Sequence, residues 1–168
     1  MNLQNIKNEA ERKFAQLCIN RKYKLLRATR NQDIYEHWDF KITNPKTKKS
    51  SLVDVKGAKK INRSDFKLDY NIAWLELQNV RGEKGSLKGK ADFIAFEQKN
   101  HFLIVKRIDL LDWIESKAIK LFVTQSSKAK YRYYQRPGRK DIITLVDIAD
   151  IKKDLKHWNL LDKSKSLL

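Results

Sequence analysis

The sequence predicts an α/β or mixed α+β fold in which an N-terminal helix precedes a mixed β-sheet flanked by further helices. Apolar residues recur at three- and four-residue steps near the N-terminus, and short apolar runs bounded by turn residues follow them. A second helical pattern, "IDLLDWIESKAI", then separates two groups of strand-like segments. The chain has 168 residues and no Gly/Ser-rich linker, so we expect one domain over residues 1–168.

The predicted elements follow one another in order along the chain. The first helix covers residues 3–20, because Leu3, Ile6, Ala10, Phe14 and Leu17 share one helical face. Strands are predicted at 23–29, 33–43, 51–57 and 71–80, a hairpin at 91–106, a helix at 108–119, strands at 120–125 and 141–148, and a short helix near 149–158. Pro, Gly, Asn and Ser mark the connections. We expect a hairpin turn at 44–50, irregular structure at 58–70, a flexible cationic loop at 81–90 and fraying at 161–168.

The chain is strongly basic. Its 37 Lys and Arg against 20 Asp and Glu give a formal net charge of +17. Self-repulsion of that size opposes a compact state, so we expect a polyanionic partner, of which nucleic acid is the commonest. The alternative is a basic surface that serves only solubility.

Cysteine content and hydropathy indicate the cellular compartment of the protein. The single cysteine, Cys18, lies in the first helical pattern and is interpreted as a buried structural thiol. No apolar run approaches the length of a membrane span, and the N-terminus lacks the apolar core of a signal peptide. We therefore expect an intracellular protein with no membrane partner.

The strand "SSLVDVKG", residues 50–57, carries two opposite charges on one side. Side chains alternate along a strand, so Asp54 and Lys56 project the same way. Such a strand is either an edge strand with a solvated face or the holder of a reaction site.

Two further acids could join Asp54. Asp39 lies across the predicted hairpin from it, and Glu9 lies on the first helix. Mg²⁺ prefers oxygen ligands, usually one or two carboxylates plus water and substrate phosphate. Lys56 could then orient or deprotonate an attacking water, or stabilise charge in the transition state.

The succession of Glu9, Asp39 and "DVK" at 54–56 resembles the PD-(D/E)xK nuclease superfamily, which includes restriction enzymes and Holliday junction resolvases. The resemblance implies a restriction-endonuclease-like core. It also implies that Asp39 and Asp54 are metal ligands and that Lys56 is the catalytic lysine. Glu9 would match the helical glutamate of the resolvase branch and join the metal ligands. One position departs from the pattern, because Trp38 stands where the superfamily often has proline.

The strand "NIAWLELQNV" offers auxiliary candidates. Glu76 and Gln78 share one face, and the superfamily often places a polar residue on the strand after its lysine. If this strand neighbours residues 51–57, either side chain would fall beside the metal site. The alternative is the ordinary alternation of buried apolar and solvent-exposed polar side chains along a strand.

Cations interleaved with tyrosines in "KAKYRYYQRPGRK" suggest contact with nucleic acid, since Arg and Lys bind phosphates and tyrosines stack on bases. The alternative is a hairpin whose tyrosines face the core. Together with the basic loops, the predicted nucleic-acid-binding residues are Lys59, Lys60, Arg81, Lys84, Lys88, Lys90, Arg132, Tyr133, Arg136, Arg139 and Lys140.

These observations lead us to expect a Mg²⁺-dependent DNA endonuclease, with Mn²⁺ able to substitute. The resemblance favours a structure-selective enzyme of the Holliday junction resolvase type, acting in DNA recombination as a homodimer on branched or duplex DNA. No small-molecule substrate is expected. Three alternatives stay open: a non-catalytic nucleic-acid-binding protein, a restriction or repair nuclease, and an RNA-cleaving enzyme of the same fold.

Overall fold

The computed structural model describes residues 3–60 and 66–161, and the fold is mixed α+β. Its α-helices are α1 (Glu9–Asn20), α2 (Arg107–Lys117) and α3 (Ile148–Asp154). Its strands are β1 (Lys24–Arg27), β2 (Phe40–Thr43), β3 (Ser50–Lys56), β4 (Ile72–Gln78), β5 (Phe93–Glu97), β6 (His101–Lys106), β7 (Ile119–Val123), β8 (Arg132–Tyr134), β9 (Ile142–Asp147) and β10 (His157–Leu161). None of these helices is long and apolar enough to cross a lipid bilayer.

The strands form two mixed sheets. One sheet has the order β1-β2-β3-β5-β6-β10 and is antiparallel except where β3 pairs with β5. The other has the order β4-β9-β8-β7, with a parallel pair between β7 and β8.

The chain divides into two compact units. Unit 1 contains residues 1–57, 90–106 and 157–168, and unit 2 contains residues 58–89 and 107–156. Each sheet belongs to one unit. The single domain remains a prediction.

The core of unit 1 lies between α1 and one face of its sheet. Phe14 is fully buried and meets Phe40 on β2 and Phe102 on β6, at centroid distances of 6.0 and 5.3 Å. Val53 and Val55 of β3 join this core, so the alternate residues of β3 point to the other face. The helix begins later than predicted, because Asn8 caps it by accepting from the backbone N–H groups of Ala10 and Glu11.

The predicted strand over 33–43 is wrong in its first half. Residues Gln32–Glu36 form a π-helical turn, and His37 follows with a left-handed φ of 56°. Local bonds of Thr29 favour this turn, because its hydroxyl accepts from the Gln32 N–H and donates to the Gln32 side chain. Only Phe40–Thr43 pair as a strand.

The predicted C-terminal helix is too long. It ends at Asp154, and residues His157–Leu161 instead pair antiparallel with β6. The local pattern cannot reveal this pairing, because its partner lies far earlier in the chain. Of the predicted frayed segment 161–168, Leu161 ends this strand and the rest lies outside the described residues.

The predicted flexible loop at 81–90 is partly wrong. Its middle returns along β4, where the Gly85 N–H donates to the Leu77 carbonyl at 3.2 Å. Ser86 and Leu87 are buried in a short 3₁₀ turn. The loop is therefore packed in its middle, whereas the side chains of Arg81, Lys84 and Lys88 are exposed.

Candidate active site

Backbone pairing of β2 with β3 places Asp39 beside Asp54. Phe40 pairs with Val53, and the Asp39 N–H donates to the Val53 carbonyl at 2.9 Å. The carboxylate of Asp39 in turn accepts from the Val55 N–H at 2.6 Å. Asp39 thus forms hydrogen bonds with Val53 and Val55, the two neighbours of Asp54 in the chain. The two acids lie close together, as the sequence predicts.

Asp54 and Lys56 share a face of β3, as the alternation predicts. Asp54 is only 5% exposed, and its Oδ2 is shielded from solvent. Lys56 Nζ lies 2.8 Å from this oxygen and forms an ion pair with it. A buried carboxylate oxygen with a lysine as its charged neighbour leaves a lone pair for a further cation.

The environment of Asp39 disfavours its charged form. Burial, reinforced by the nearby charge of Asp54, raises the pKa of Asp39 to about 8. The Val55 N–H and Lys56 oppose this shift. Two carboxylates held this close repel each other unless a proton or a cation lies between them.

The helix contributes Glu11 to this group of acids, and the prediction of Glu9 needs correction. The Glu9 carboxylate is exposed and pairs with Lys13 Nζ at 3.1 Å, which lowers the Glu9 pKa. Glu11 is largely buried; burial raises its pKa, and the charges of Asp33 and Asp54 add to that shift. Two positions span about 200° around a helix, so the two glutamates face opposite ways.

A cavity of about 330 Å³ adjoins Asp39 in unit 1. Glu11, Arg27, Arg30 and Asp33 line it together with Asp39. Arg27 Nη2 lies 3.2 Å from Glu11 Oε2, which holds the glutamate toward β1. The sequence reasoning missed Glu11, Arg27, Arg30 and Asp33.

A signal for Glu11 does exist in the sequence. Its partners four and seven positions later are Ala15 and Cys18, which are apolar and buried. The corresponding partners of Glu9 are Lys13 and Gln16, which are polar and exposed. Helical periodicity therefore favours Glu11 as the inward glutamate.

The donor set fits a magnesium ion held by few protein ligands. In the described part of the chain, no three His, Cys, Asp or Glu side chains are grouped closely enough to hold a metal by themselves. Asp39 and Asp54 provide two carboxylates, and the ion pair with Lys56 is formed by one of the two Asp54 oxygens, Oδ2. Mg²⁺ commonly takes one or two carboxylates and completes its shell with water and substrate phosphate.

The auxiliary prediction for Glu76 and Gln78 rests on a sheet pairing that does not occur. β3 pairs with β2 and β5, whereas β4 pairs with β9 in the other sheet. The Glu76 carboxylate accepts from the Ser86 N–H at 3.3 Å, and the Gln78 amide donates to the Lys140 carbonyl. Both side chains therefore stabilise connections within unit 2.

The predicted nucleic-acid-binding residues fall into three groups. Lys59, Lys60, Arg136 and Arg139 line one large cavity of unit 2. Three carry identified packing or ion pairs: Lys88 with Glu115, Lys90 with Glu36, and Tyr133 with the ring of Phe122. The remaining residues, Arg81, Lys84, Arg132 and Lys140, lie at or near the surface.

The tyrosines of the basic segment differ from one another. Tyr131 donates to the Asp150 carboxylate and packs edge-on against Trp113, so it serves the interior of unit 2. Tyr134 instead lines the large cavity. The interpretation in which tyrosines face the interior therefore holds for Tyr131, and contact of the segment with nucleic acid stays a prediction.

Comparison of the chain with models of protein families, with curated proteins and with solved structures finds no match.

Proposed function

We propose that this chain is a Mg²⁺-dependent endonuclease that hydrolyses phosphodiester bonds in DNA, with a restriction-endonuclease-like core in unit 1. The observation that carries the proposal is the pairing of Asp39 with the buried Asp54 beside Lys56. Holding two carboxylates together away from water costs stability, and binding a divalent cation would offset that cost. The net charge of +17 supports a nucleic acid as the substrate.

Each residue has a distinct role in the proposed reaction. Asp39 and Asp54 would hold the cation, which neutralises charge on the scissile phosphate and lowers the pKa of a bound water. Lys56, held by Asp54, would donate hydrogen bonds to the attacking water or to the developing phosphate charge. Glu11, which pairs with Arg27, would orient that side chain and accept a proton at the edge of the site.

We further propose a structure-selective activity on branched DNA, carried out by a two-fold dimer. The support is the order of a helical glutamate, Asp39 and Lys56 along the chain, which resembles the resolvase branch of the superfamily, with Glu11 in place of Glu9 near the two aspartates. A dimer presents two equivalent sites, as the cutting of two strands requires. Light scattering of the purified protein measures this assembly.

The test is a cleavage assay on four substrates: a four-way junction, linear duplex DNA, single-stranded DNA and RNA. Each is incubated with Mg²⁺, Mn²⁺ or EDTA. We expect cutting of the junction with either metal and none in EDTA. Asp54→Asn and Lys56→Ala should each lower the rate at least about 100-fold, while DNA affinity stays within about twofold.

Lys41→Ala is the matched control, because Lys41 is an exposed lysine of the neighbouring strand β2. It should cut at the wild-type rate. Cleavage that persists in EDTA, or that survives Asp54→Asn, contradicts the metal mechanism.

A second candidate is a nucleic-acid-binding protein without catalysis. The ion pair with Lys56 already neutralises the buried Asp54 carboxylate without a metal, and this observation favours it. Tight binding of any of the four substrates without cutting, in either metal, would establish this function instead.

A further inference from the structure

Unit 2 contains a cavity of about 1080 Å³ that the proposed catalytic residues do not use. Ligand pockets commonly measure roughly 300–1,000 Å³, so there is space for more than one nucleotide. The lining combines aromatic rings, apolar side chains and cations, and among the described residues that line it none is acidic.

Two aromatic rings form one wall of this cavity. Trp74 lies on β4 and Tyr134 on β8, the two strands that flank β9. Their ring centroids are 5.8 Å apart, and Ile143 of β9 lines the cavity with them. The Trp74 indole donates to the Lys60 carbonyl at 3.4 Å, which fixes the ring against the segment that carries the lysines.

Cations surround this wall. Lys59, Lys60 and Arg139 line the cavity and are exposed. Arg136 also lines it, but its guanidinium pairs with the fully buried Asp141, so its charge is partly neutralised. The exposed cations are therefore the ones available to phosphates.

We propose that this cavity binds an unpaired nucleotide of a nucleic-acid strand, with the base on Trp74 and Tyr134 and the flanking phosphates on Lys59, Lys60 and Arg139. Aromatic side chains bind bases by their faces, and only an unstacked base exposes a face. A continuous duplex offers phosphates to the cations but no base to the rings. The inference rests on the nucleic-acid partner of the proposed function and not on hydrolysis.

The test measures binding of a labelled single-stranded 20-mer, and of its duplex, by fluorescence anisotropy in EDTA. Trp74→Leu keeps apolar bulk but removes the aromatic face, whereas Trp74→Phe keeps a ring. We expect Trp74→Leu to weaken single-strand binding at least about fivefold and Trp74→Phe to restore most of it, with duplex binding within about twofold of wild type.

Trp158→Leu is the matched control, because Trp158 is a partly exposed tryptophan of unit 1 that packs edge-on against Phe93. It should bind both DNAs as wild type does. Leu68→Glu is a second variant in case Trp74→Leu does not fold. Leu68 lines the cavity and is 46% exposed, so a charge there should weaken single-strand binding without unfolding the protein.

Equal losses for single strand and duplex, or no loss in Trp74→Leu and Leu68→Glu, would overturn the inference. A mononucleotide that displaces the 20-mer at equimolar concentration would show a pocket for free nucleotides and would also overturn it. Because every arm contains EDTA, failure here leaves the cleavage proposal untouched, and failure of cleavage leaves this result intact.

Discussion

Two glutamates on α1 differ in environment although they stand two positions apart. Glu9 lies among polar neighbours and pairs with Lys13, while Glu11 is largely buried and its pKa is raised. Sequence reasoning found Asp39, Asp54 and Lys56, because the alternation of a strand determines their faces. It chose Glu9, which faces away from these residues, because it matched the order of residue types along the chain instead of following the helical face.

These environments predict different effects of two matched substitutions. Glu11→Gln should lower metal-dependent cleavage at least about tenfold, since it removes the charge that holds Arg27 and faces the acidic pair. Glu9→Gln should leave the rate within about twofold. Both are measured by initial cleavage rates at saturating Mg²⁺. Equal rates for the two variants would remove Glu11 from the site.

The raised pKa of Asp39 predicts a variant that is more stable. The folded protein retains a proton on Asp39 up to about pH 8, whereas the unfolded chain releases it near the ordinary value of 3.8. This carboxyl therefore costs stability increasingly as the pH rises between these values. Asp39→Asn should raise the free energy of unfolding by about 1–2 kcal/mol at pH 8 and by little at pH 4.

Urea denaturation at the two pH values measures this gain. Asp92→Asn is the control, because Asp92 also accepts a backbone N–H of β3, from Leu52 at 2.8 Å, but is exposed. It should show no gain. Millimolar Mg²⁺ should raise the melting temperature of the wild type and not that of Asp39→Asn. An equal gain in the free energy of unfolding at both pH values would contradict its attribution to the raised pKa of Asp39.

At the scale of elements, local sequence patterns predicted the helices, strands and turns that depend on residues close together in the chain. The β2–β3 hairpin follows from apolar runs around a turn that contains Pro45 and Asn44, and the alternation of β4 is as expected. The pairing of β3 with β5 and the strand β10 depend on partners far along the chain, which a local pattern does not contain. For the same reason the assumed pairing of β4 with β3, on which the auxiliary prediction for Glu76 and Gln78 depended, was wrong.

The packed turn after β4 predicts a destabilising glycine substitution. A Cβ on Gly85 would lie 2.5 Å from the Glu76 carbonyl oxygen and 2.8 Å from the Gln78 nitrogen. Both are backbone atoms of a paired strand and cannot move aside cheaply. Gly85→Ala should therefore lower the free energy of unfolding by about 2 kcal/mol or more, measured in urea.

Gly138 provides the comparison for this substitution. It has a φ of +72°, a Cβ placed on it would meet no atom within 4 Å, and asparagine tolerates that conformation. Gly138→Asn should change the free energy of unfolding by less than about 0.5 kcal/mol. If Gly85→Ala is equally mild, the turn is not packed against β4 as described.

For the whole molecule, the net charge predicts strong salt dependence of DNA binding. Removing one phosphate-binding cation should make the slope of log K against log[salt] shallower by about one. Each such cation counts for about 0.7 on a single strand, so the double variant Lys60→Ala/Arg139→Ala should reduce the slope for single-stranded DNA by about 1.4. Lys46→Ala/Lys49→Ala, in the exposed hairpin turn, changes the net charge equally and should leave the slope nearly unchanged.

Binding titrations at several salt concentrations measure these slopes. Equal slopes for the two double variants would mean that overall charge, and not the cavity, determines where phosphates bind. Arg136 is left intact in this design, because its removal would strand the buried Asp141 without its ion pair.

The division into two units has a consequence for dissecting the protein. The polypeptide passes from one unit to the other four times, so neither unit is a continuous stretch of chain. A truncated fragment ending at Gly57 would retain Asp39, Asp54 and Lys56 but lose β5, β6 and β10, half of the sheet that supports them. Testing the proposed hydrolysis separately from the proposed strand binding thus calls for point substitutions, since no single cut of the chain yields either unit intact.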